Sequence, residues 1–275
     1  MSRLNFVSLL ENIPDKMDNL KILTVQSDIS WENKKENLSH FFSLIDKKAI
    51  NTDIIIFPEM FSTGFSMNIN LAEPMNGETV KWLKQVSKEK DTLIITSLII
   101  KENRNFFNRL IVVFPDGNIA YYDKRHLFTL IGEQKYYSKG KKQLVIERKG
   151  WRIMPLICYD LRFPVWSRNT MKYDLLIFVA NWPERRRKAW QSLLIARAIE
   201  NVSYVAGVNR IGYDNNNVKY AGDTVVLNYA GDKISQTKPY EEKVKLITLD
   251  YQDMVRFRTK FKFLDDADVF HIRKT

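Results

Sequence analysis

Three residues of the chain combine types and positions that could carry acyl-transfer chemistry: Cys158, Glu59 and Lys124. Cys158, the only cysteine, ends the apolar run Trp151-Arg-Ile-Met-Pro-Leu-Ile and opens the polar segment Tyr-Asp-Leu-Arg-Phe-Pro. Glu59 closes Asp53-Ile-Ile-Ile-Phe-Pro-Glu, and Lys124 closes Ile119-Ala-Tyr-Tyr-Asp-Lys. Each run reads as a strand, and a strand exit fixes a side chain while the following loop opens it to substrate. A deprotonated thiol is a nucleophile, a carboxylate can take its proton, and an ammonium can hold developing negative charge. Each residue alone has a plainer reading. Free cysteine is among the most buried residue types, a glutamate after a proline can be a surface charge, and a lysine closing a hairpin is ordinarily solvated.

Read in order, the segments Phe57-Pro-Glu59, Asp123-Lys-Arg-His-Leu-Phe128 and Cys158-Tyr-Asp-Leu-Arg-Phe-Pro164 resemble the nitrilase superfamily of carbon-nitrogen hydrolases. The resemblance runs from about Leu20 to the C-terminus. It implies a Glu-Lys-Cys catalytic set made of Glu59, Lys124 and Cys158, with Glu133 of Ile131-Gly-Glu-Gln-Lys-Tyr-Tyr as a second glutamate that positions the lysine and substrate. It also implies an α/β fold of a particular kind, a four-layer α-β-β-α sandwich, usually assembled as a homodimer of eight layers.

The chemistry explains the residue types. An amide carbonyl is a poor electrophile, so its hydrolysis needs a strong nucleophile, an acid for the departing nitrogen and a positive group at the oxyanion. A free thiol has a pKa of about 8.5, so Cys158 requires a base or a nearby positive charge. Glu59 can take the thiol proton, return it to ammonia and then activate the water that opens the thioester. Lys124 can hold the oxyanion, with the backbone N–H of Tyr159 as second donor.

True nitrilases typically carry Trp directly after the nucleophile, whereas Tyr159-Asp-Leu-Arg resembles the amidase branches. Pro58-Glu-Met-Phe-Ser-Thr-Gly-Phe-Ser-Met67 and Ala180-Asn-Trp-Pro-Glu-Arg-Arg186 resemble the bacterial omega-amidases, which cleave the terminal amide of 2-oxo acids such as 2-oxoglutaramate and 2-oxosuccinamate. A substrate of that kind carries a carboxylate. Arg185 and Arg186, after Trp182-Pro183 at an expected helix start, are candidates to clamp it. Phe61, Phe65, Met67 and Trp182 are candidate pocket walls, although aromatic residues in such places also serve as plain core. Amidases or N-carbamoyl hydrolases of other small substrates remain alternatives within the superfamily.

The elements that must position these groups alternate along the chain. Strands are expected at 21–26, 53–59, 92–100, 110–114, 119–122, 144–147, 151–157, 174–180, 204–209 and 225–228, from short apolar or alternating runs. Helices are expected at 33–48, 78–90 and 185–201, from apolar residues at helical spacing. Turn residues at Pro115-Asp-Gly-Asn, Arg148-Lys-Gly150 and Ala230-Gly-Asp232 mark hairpins among crossover units, which together imply layered α/β structure. One domain over 20–275 is expected, with 1–19 as an N-terminal extension.

Composition narrows the function class. The 275 residues are 45% hydrophobic, enough for a substantial core. No apolar run approaches the roughly 20 residues that span a bilayer, and the N-terminus lacks the pattern of a signal peptide. A lone cysteine admits no internal disulfide framework, and a thiol nucleophile suits a reducing cytoplasm. With His40, His126 and His271 as the only histidines and no Cys/His cluster, no metal site is expected. Neither a P-loop nor a G-x-G-x-x-G is present, so no cofactor is expected. A papain-like pair would bring His126 to Cys158, but the resemblance places His126 beside Lys124 as part of its motif. The net charge of +11 and Arg185-Arg-Arg-Lys188 raise nucleic-acid binding as a different class. Interleaved acidic residues and the lack of a recognisable module favour a solvated basic surface, leaving a small-molecule amide as the expected partner, with neither nucleic acid nor membrane.

Overall fold

Successive side chains of a strand point to opposite faces, and the structure, a computed structural model describing residues 18–272, sorts them into layers by this rule. Most of the expected N-terminal extension, residues 1–17, lies outside the described residues. The elements run β1 Leu20–Gln26, α1 Lys34–Ile45, β2 Ile54–Ile56, α2 Glu78–Lys90, β3 Leu93–Glu102, β4 Asn105–Val113 and β5 Ile119–Asp123. They continue with β6 Ile146–Arg148, β7 Trp151–Ile157, α3 Pro164–Ser167, β8 Leu175–Ala180, α4 Arg187–Asn201 and β9 Tyr204–Asn209. The chain then forms β10 Ile211–Tyr213, β11 Lys219–Ala221, β12 Val225–Leu227, β13 Lys233–Gln236, β14 Lys243–Leu249 and α5 Tyr251–Phe261.

Two six-stranded mixed sheets result, ordered β14-β1-β2-β3-β4-β5 and β13-β12-β9-β8-β7-β6. Ile54 and Ile56 of β2 join Leu93, Ile95, Leu110 and Val112 in one cluster with β7, β8 and β9 of the second sheet. Ile55, Ile94, Ile111 and Val113, on the opposite face, pack on Phe41 and Ile45 of α1 and Val80 and Leu83 of α2. Behind the second sheet lie Trp190, Leu194 and Ala198 of α4 and Met254 of α5. At Gly207 of β9 an added Cβ would lie 2.5 Å from the Leu194 side chain, so glycine lets α4 approach that strand closely. The order of layers is α-β-β-α, the sandwich expected from the sequence.

Helix α1 is capped by Asn33, whose side chain accepts the Glu36 N–H. The strand expected over 53–59 ends at Ile56, because Pro58 has no N–H for a ladder. The helix expected over 185–201 is divided, with a 3-10 turn at Glu184–Arg186 leading into α4. The strand β4 begins at Asn105, earlier than its apolar part suggests, because it pairs with β3 along its whole length, from Glu102↔Asn105 to Ile94↔Val113.

Strand directions bring the exits together. β1, β2 and β3 are mutually parallel, and β5 regains that direction through two antiparallel steps, β3 to β4 and β4 to β5. In the second sheet β7, β8 and β9 are parallel. Residues leaving the C-terminal ends of β2, β5, β7 and β8 can therefore meet at one end of the sandwich, where open α/β sheets bind ligands.

Candidate active site

At that end Glu59, Lys124 and Glu133 form one buried cluster. The Lys124 Nζ donates to Glu59 Oε1 at 2.9 Å and to Glu133 Oε1 and Oε2 at 3.0 and 3.1 Å. None of the three side chains exceeds 1% exposure. Burial alone would push the Lys124 ammonium down, but the carboxylates of Glu133 and Glu59 outweigh it and hold its pKa above the usual lysine range. Glu133 is pushed up by its burial, against the pull of Lys124.

Local backbone explains how these groups arrive. Glu59 precedes Met60, which has φ +46° and whose N–H is held by Ser97 Oγ at 2.9 Å. Lys124 follows β5 directly; its N–H is bonded to Asn108 O and its carbonyl accepts the Gly140 N–H at 2.9 Å. A Cβ on Gly140 would stand 1.8 Å from the Asp123 carbonyl oxygen, so only glycine lets the returning segment lie against the Lys124 strand. Gly132, at φ +81°, turns the chain so that Glu133 points inward, where it accepts the Phe128 N–H.

Cys158 directly follows β7 at φ +41°, an unfavourable region for a residue with a Cβ, costing on the order of 1–3 kcal/mol. Burial pushes its thiol well above the ordinary range; the Glu59 carboxylate adds to this and Lys124 opposes it. Two residues on, the buried Asp160 carboxylate accepts from Ile157 N at 3.1 Å, Tyr122 OH at 2.8 Å, His126 N at 3.0 Å and His126 Nδ1 at 2.8 Å. One carboxylate thus ties the Cys158 turn to the segment carrying Lys124. His126 is spent on this bond and on stacking against Phe163 at 3.7 Å.

Cys158, Tyr159 and Lys124 line a cavity of about 510 Å³, and so do Phe65, Met67, Trp182, Arg185 and Arg186. Phe65 places its ring 4.8 Å from the Lys124 Nζ. Phe61 is a correction to the expectation: it is fully buried against Phe41 and Phe57, at 5.2 and 5.0 Å, within the layer between the first sheet and its helices. The turn after Met60 sends residue 61 into the core and returns residue 65 to the cavity.

Three polar residues of the site carry no role in the sequence reading. Arg162, in the 3-10 turn after Cys158, lines the cavity with its guanidinium 5.0 Å from the Trp182 ring. Asn181, at the exit of β8, donates its N–H to Glu59 Oε2 at 2.8 Å and its Nδ2 to the Glu59 carbonyl. Asn108, inside β4, donates its Nδ2 to Glu59 Oε1. Arg162 stands within the quoted motif and Asn181 at a fourth strand exit, which are the signals that point to them. Of three consecutive arginines, Arg187 is tied to Asp223 at 2.6 Å, whereas Arg186 lies 5.0 Å from the Phe128 ring and pairs with no carboxylate among the described residues. Burial lowers the Arg186 pKa, helped by the like charges of Arg185 and Arg162.

A buried carboxylate pair around an ammonium, beside a thiol in a strained turn at a cavity floor, can perform nucleophilic acyl transfer. Comparison with known proteins agrees. A profile of the carbon-nitrogen hydrolase family matches residues 21–259. The chain is 43% identical to omega-amidase YafV of Yersinia enterocolitica over 254 residues, 92% of this chain and 99% of that protein. It is 32% identical to the 2-oxoglutaramate amidase of Bacillus subtilis over 251 residues, 89% of this chain and 96% of the other. Among solved structures, XC1258 of Xanthomonas campestris, a CN-hydrolase superfamily protein with an arsenic adduct in its active site, superposes with a TM-score of 0.91 at 39% identity, covering 94% of this chain and all of that one.

Proposed function

The chain belongs to the carbon-nitrogen hydrolase family, and on that footing we propose that it hydrolyses the terminal amide of a 2-oxo acid, such as 2-oxoglutaramate or 2-oxosuccinamate, to the acid and ammonia. The observation that carries this reading is a single cavity lined by Cys158 and by Lys124, which Glu59 and Glu133 hold from behind, with the guanidiniums of Arg162 and Arg186, which pair with no carboxylate among the described residues, in its wall. A substrate with an amide at one end and a carboxylate at the other matches both features. The relatives named omega-amidase and 2-oxoglutaramate amidase support the same substrate class.

In the mechanism, the resting thiol of Cys158 is protonated, held so by burial and by Glu59. Glu59 takes the proton as the sulfur attacks the amide carbon, giving a tetrahedral oxyanion. Lys124 and the Tyr159 N–H hold that oxygen; removing one such donor typically costs about 10²–10³ in kcat. Glu59 then gives its proton to the nitrogen, the carbon–nitrogen bond breaks, and ammonia leaves a thioester on Cys158. Glu59 next takes a proton from water; the hydroxide attacks the thioester, the carbon–sulfur bond breaks, and Glu59 returns its proton to the leaving sulfur as the acid departs. Glu133 keeps the Lys124 ammonium aimed throughout.

The same reading places the protein in the reducing cytoplasm, where the Cys158 thiol survives, and assigns it a homodimeric assembly, as the family resemblance implies. Among the described residues no helix is long and apolar enough to cross a membrane. One catalytic domain over 20–275 follows an extension of residues 1–19.

Ammonia release from 2-oxoglutaramate, 2-oxosuccinamate, glutamine and a short aliphatic amide, with Cys158→Ala as control, tests the proposal. Release confined to the 2-oxo acid amides and lost in the variant is the expected result. Turnover mainly of the neutral amide would keep the mechanism and discard the substrate.

A further inference from the structure

Asn108 occupies a position that chain stability does not explain. It is fully buried in β4, two residues before the core run Leu110, Ile111, Val112 and Val113. Its Oδ1 finds no hydrogen-bond partner among the described residues. A buried unpaired acceptor costs about 1–3 kcal/mol, a cost that an apolar side chain of the same size would not carry. What the asparagine provides instead is two N–H donors on one nitrogen. These reach Glu59 Oε1 at 2.8 Å and Glu133 Oε1 at 3.3 Å, while the Asn108 carbonyl accepts the Lys124 N–H at 3.0 Å. One residue touches all three members of the charged cluster.

The cluster needs such a residue because it buries two carboxylates against one ammonium. A neutral donor stabilises both without adding charge that would draw Lys124 away from the oxyanion. Its placement also divides the labour between the oxygens of Glu59. Oε1 is occupied by Lys124 and Asn108, whereas among the described residues Oε2 accepts the Asn181 N–H alone. We infer that Asn108 is a positioning residue, which clamps Glu59 and Glu133 around Lys124 and leaves Glu59 Oε2 as the atom that accepts the Cys158 proton; this rests on the amidohydrolase reading above.

The groups facing Glu59 are Lys124 from the end of β5, Glu133 from its 3-10 turn and Cys158 from the end of β7, with Tyr137 farther out. Losing the clamp leaves the Glu59 carboxylate without its neutral donor, so its charge bears more fully on the buried thiol it already pushes up, and Cys158 ionises at a higher pH. Because Cys158 is the only cysteine, its alkylation by iodoacetamide reads this step without any amide substrate. For Asn108→Leu, the acid limb of the alkylation rate against pH moves up by about one unit, which is about tenfold slower reaction on that limb. Asn108→Ser, which keeps one donor on a shorter side chain, moves it by less. An unmoved limb in both variants, with a uniform fall in rate, would overturn the inference, and so would loss of the folded state in both. A shifted limb in a protein that turns over no amide would sink the substrate assignment and leave Asn108 in its place.

Discussion

The Lys124 ammonium meets Glu59 Oε1 at 2.9 Å across 65 residues of sequence, with both side chains sealed from solvent. A buried pair of this kind contributes little net stability, because desolvation offsets the attraction. Removing one partner is another matter, since the other charge is then stranded.

Lys124→Met is therefore expected to lose about 3–5 kcal/mol of stability and at least about 10²–10³ in kcat. The stability loss has a direction in pH. Burial already raises Glu133 above its unfolded value, and a carboxyl raised in the folded state favours folding at low pH and loses that contribution as pH rises through its folded pKa. Without the ammonium this shift grows, so thermal melts at pH values above the carboxylate range should show a larger deficit against wild type than melts in acid. An equal deficit at all pH values would argue that the two glutamates do not depend on Lys124.

Glu59→Gln separates thiolate content from activity. Burial is the first cause of the raised Cys158 pKa and the Glu59 carboxylate the second, so the variant thiol should ionise at a lower pH than the wild type. Turnover should nevertheless fall by about 10²–10⁴, because the proton shuttle is gone. Ultraviolet titration of the thiolate alongside ammonia release checks both halves. Retained turnover would remove Glu59 from its role.

For the arginines the expected signature is substrate-selective. Arg162→Ala and Arg186→Ala each remove a charged donor from the cavity wall, worth about 1.5–3 kcal/mol against a bound carboxylate. That is a loss of roughly 10–150-fold in kcat/KM for 2-oxo acid amides, carried mostly by KM, with little change for a neutral amide. Arg187→Ala, which breaks the bond to Asp223, should affect both substrate classes alike. Equal effects of all three variants on both classes would remove the clamp.

His126→Gln tests the rival in which a histidine activates the thiol. With Nδ1 committed to Asp160 at 2.8 Å, the variant should keep activity far above Cys158→Ala and lose about 1–3 kcal/mol of stability, as Asp160 gives up a donor. Activity as low as that of Cys158→Ala in a folded protein would restore the histidine as base.

Much of this site is legible in the chain. Apolar runs bounded by polar residues put Cys158 and Lys124 directly at the ends of β7 and β5, and the helix expected over 78–90 forms as read. These features are local, because alternation and helical spacing report which face of an element is apolar. Tertiary structure alone decided the remainder. Glu59 reaches Lys124 from beyond the end of β2, and the positive-φ turn at Met60 that follows it sends Phe61 into the core. Asn108 sits in the half of β4 that lacks an apolar run, and its place is set by pairing with β3. Asn181 acquires its role only when β8 of the second sheet brings its N–H to a carboxylate 122 residues away. A sequence shows which side chains could be buried or reactive; a hydrogen bond acts over about 3 Å, and only the packing of two sheets brings donors and acceptors from distant strands within that range.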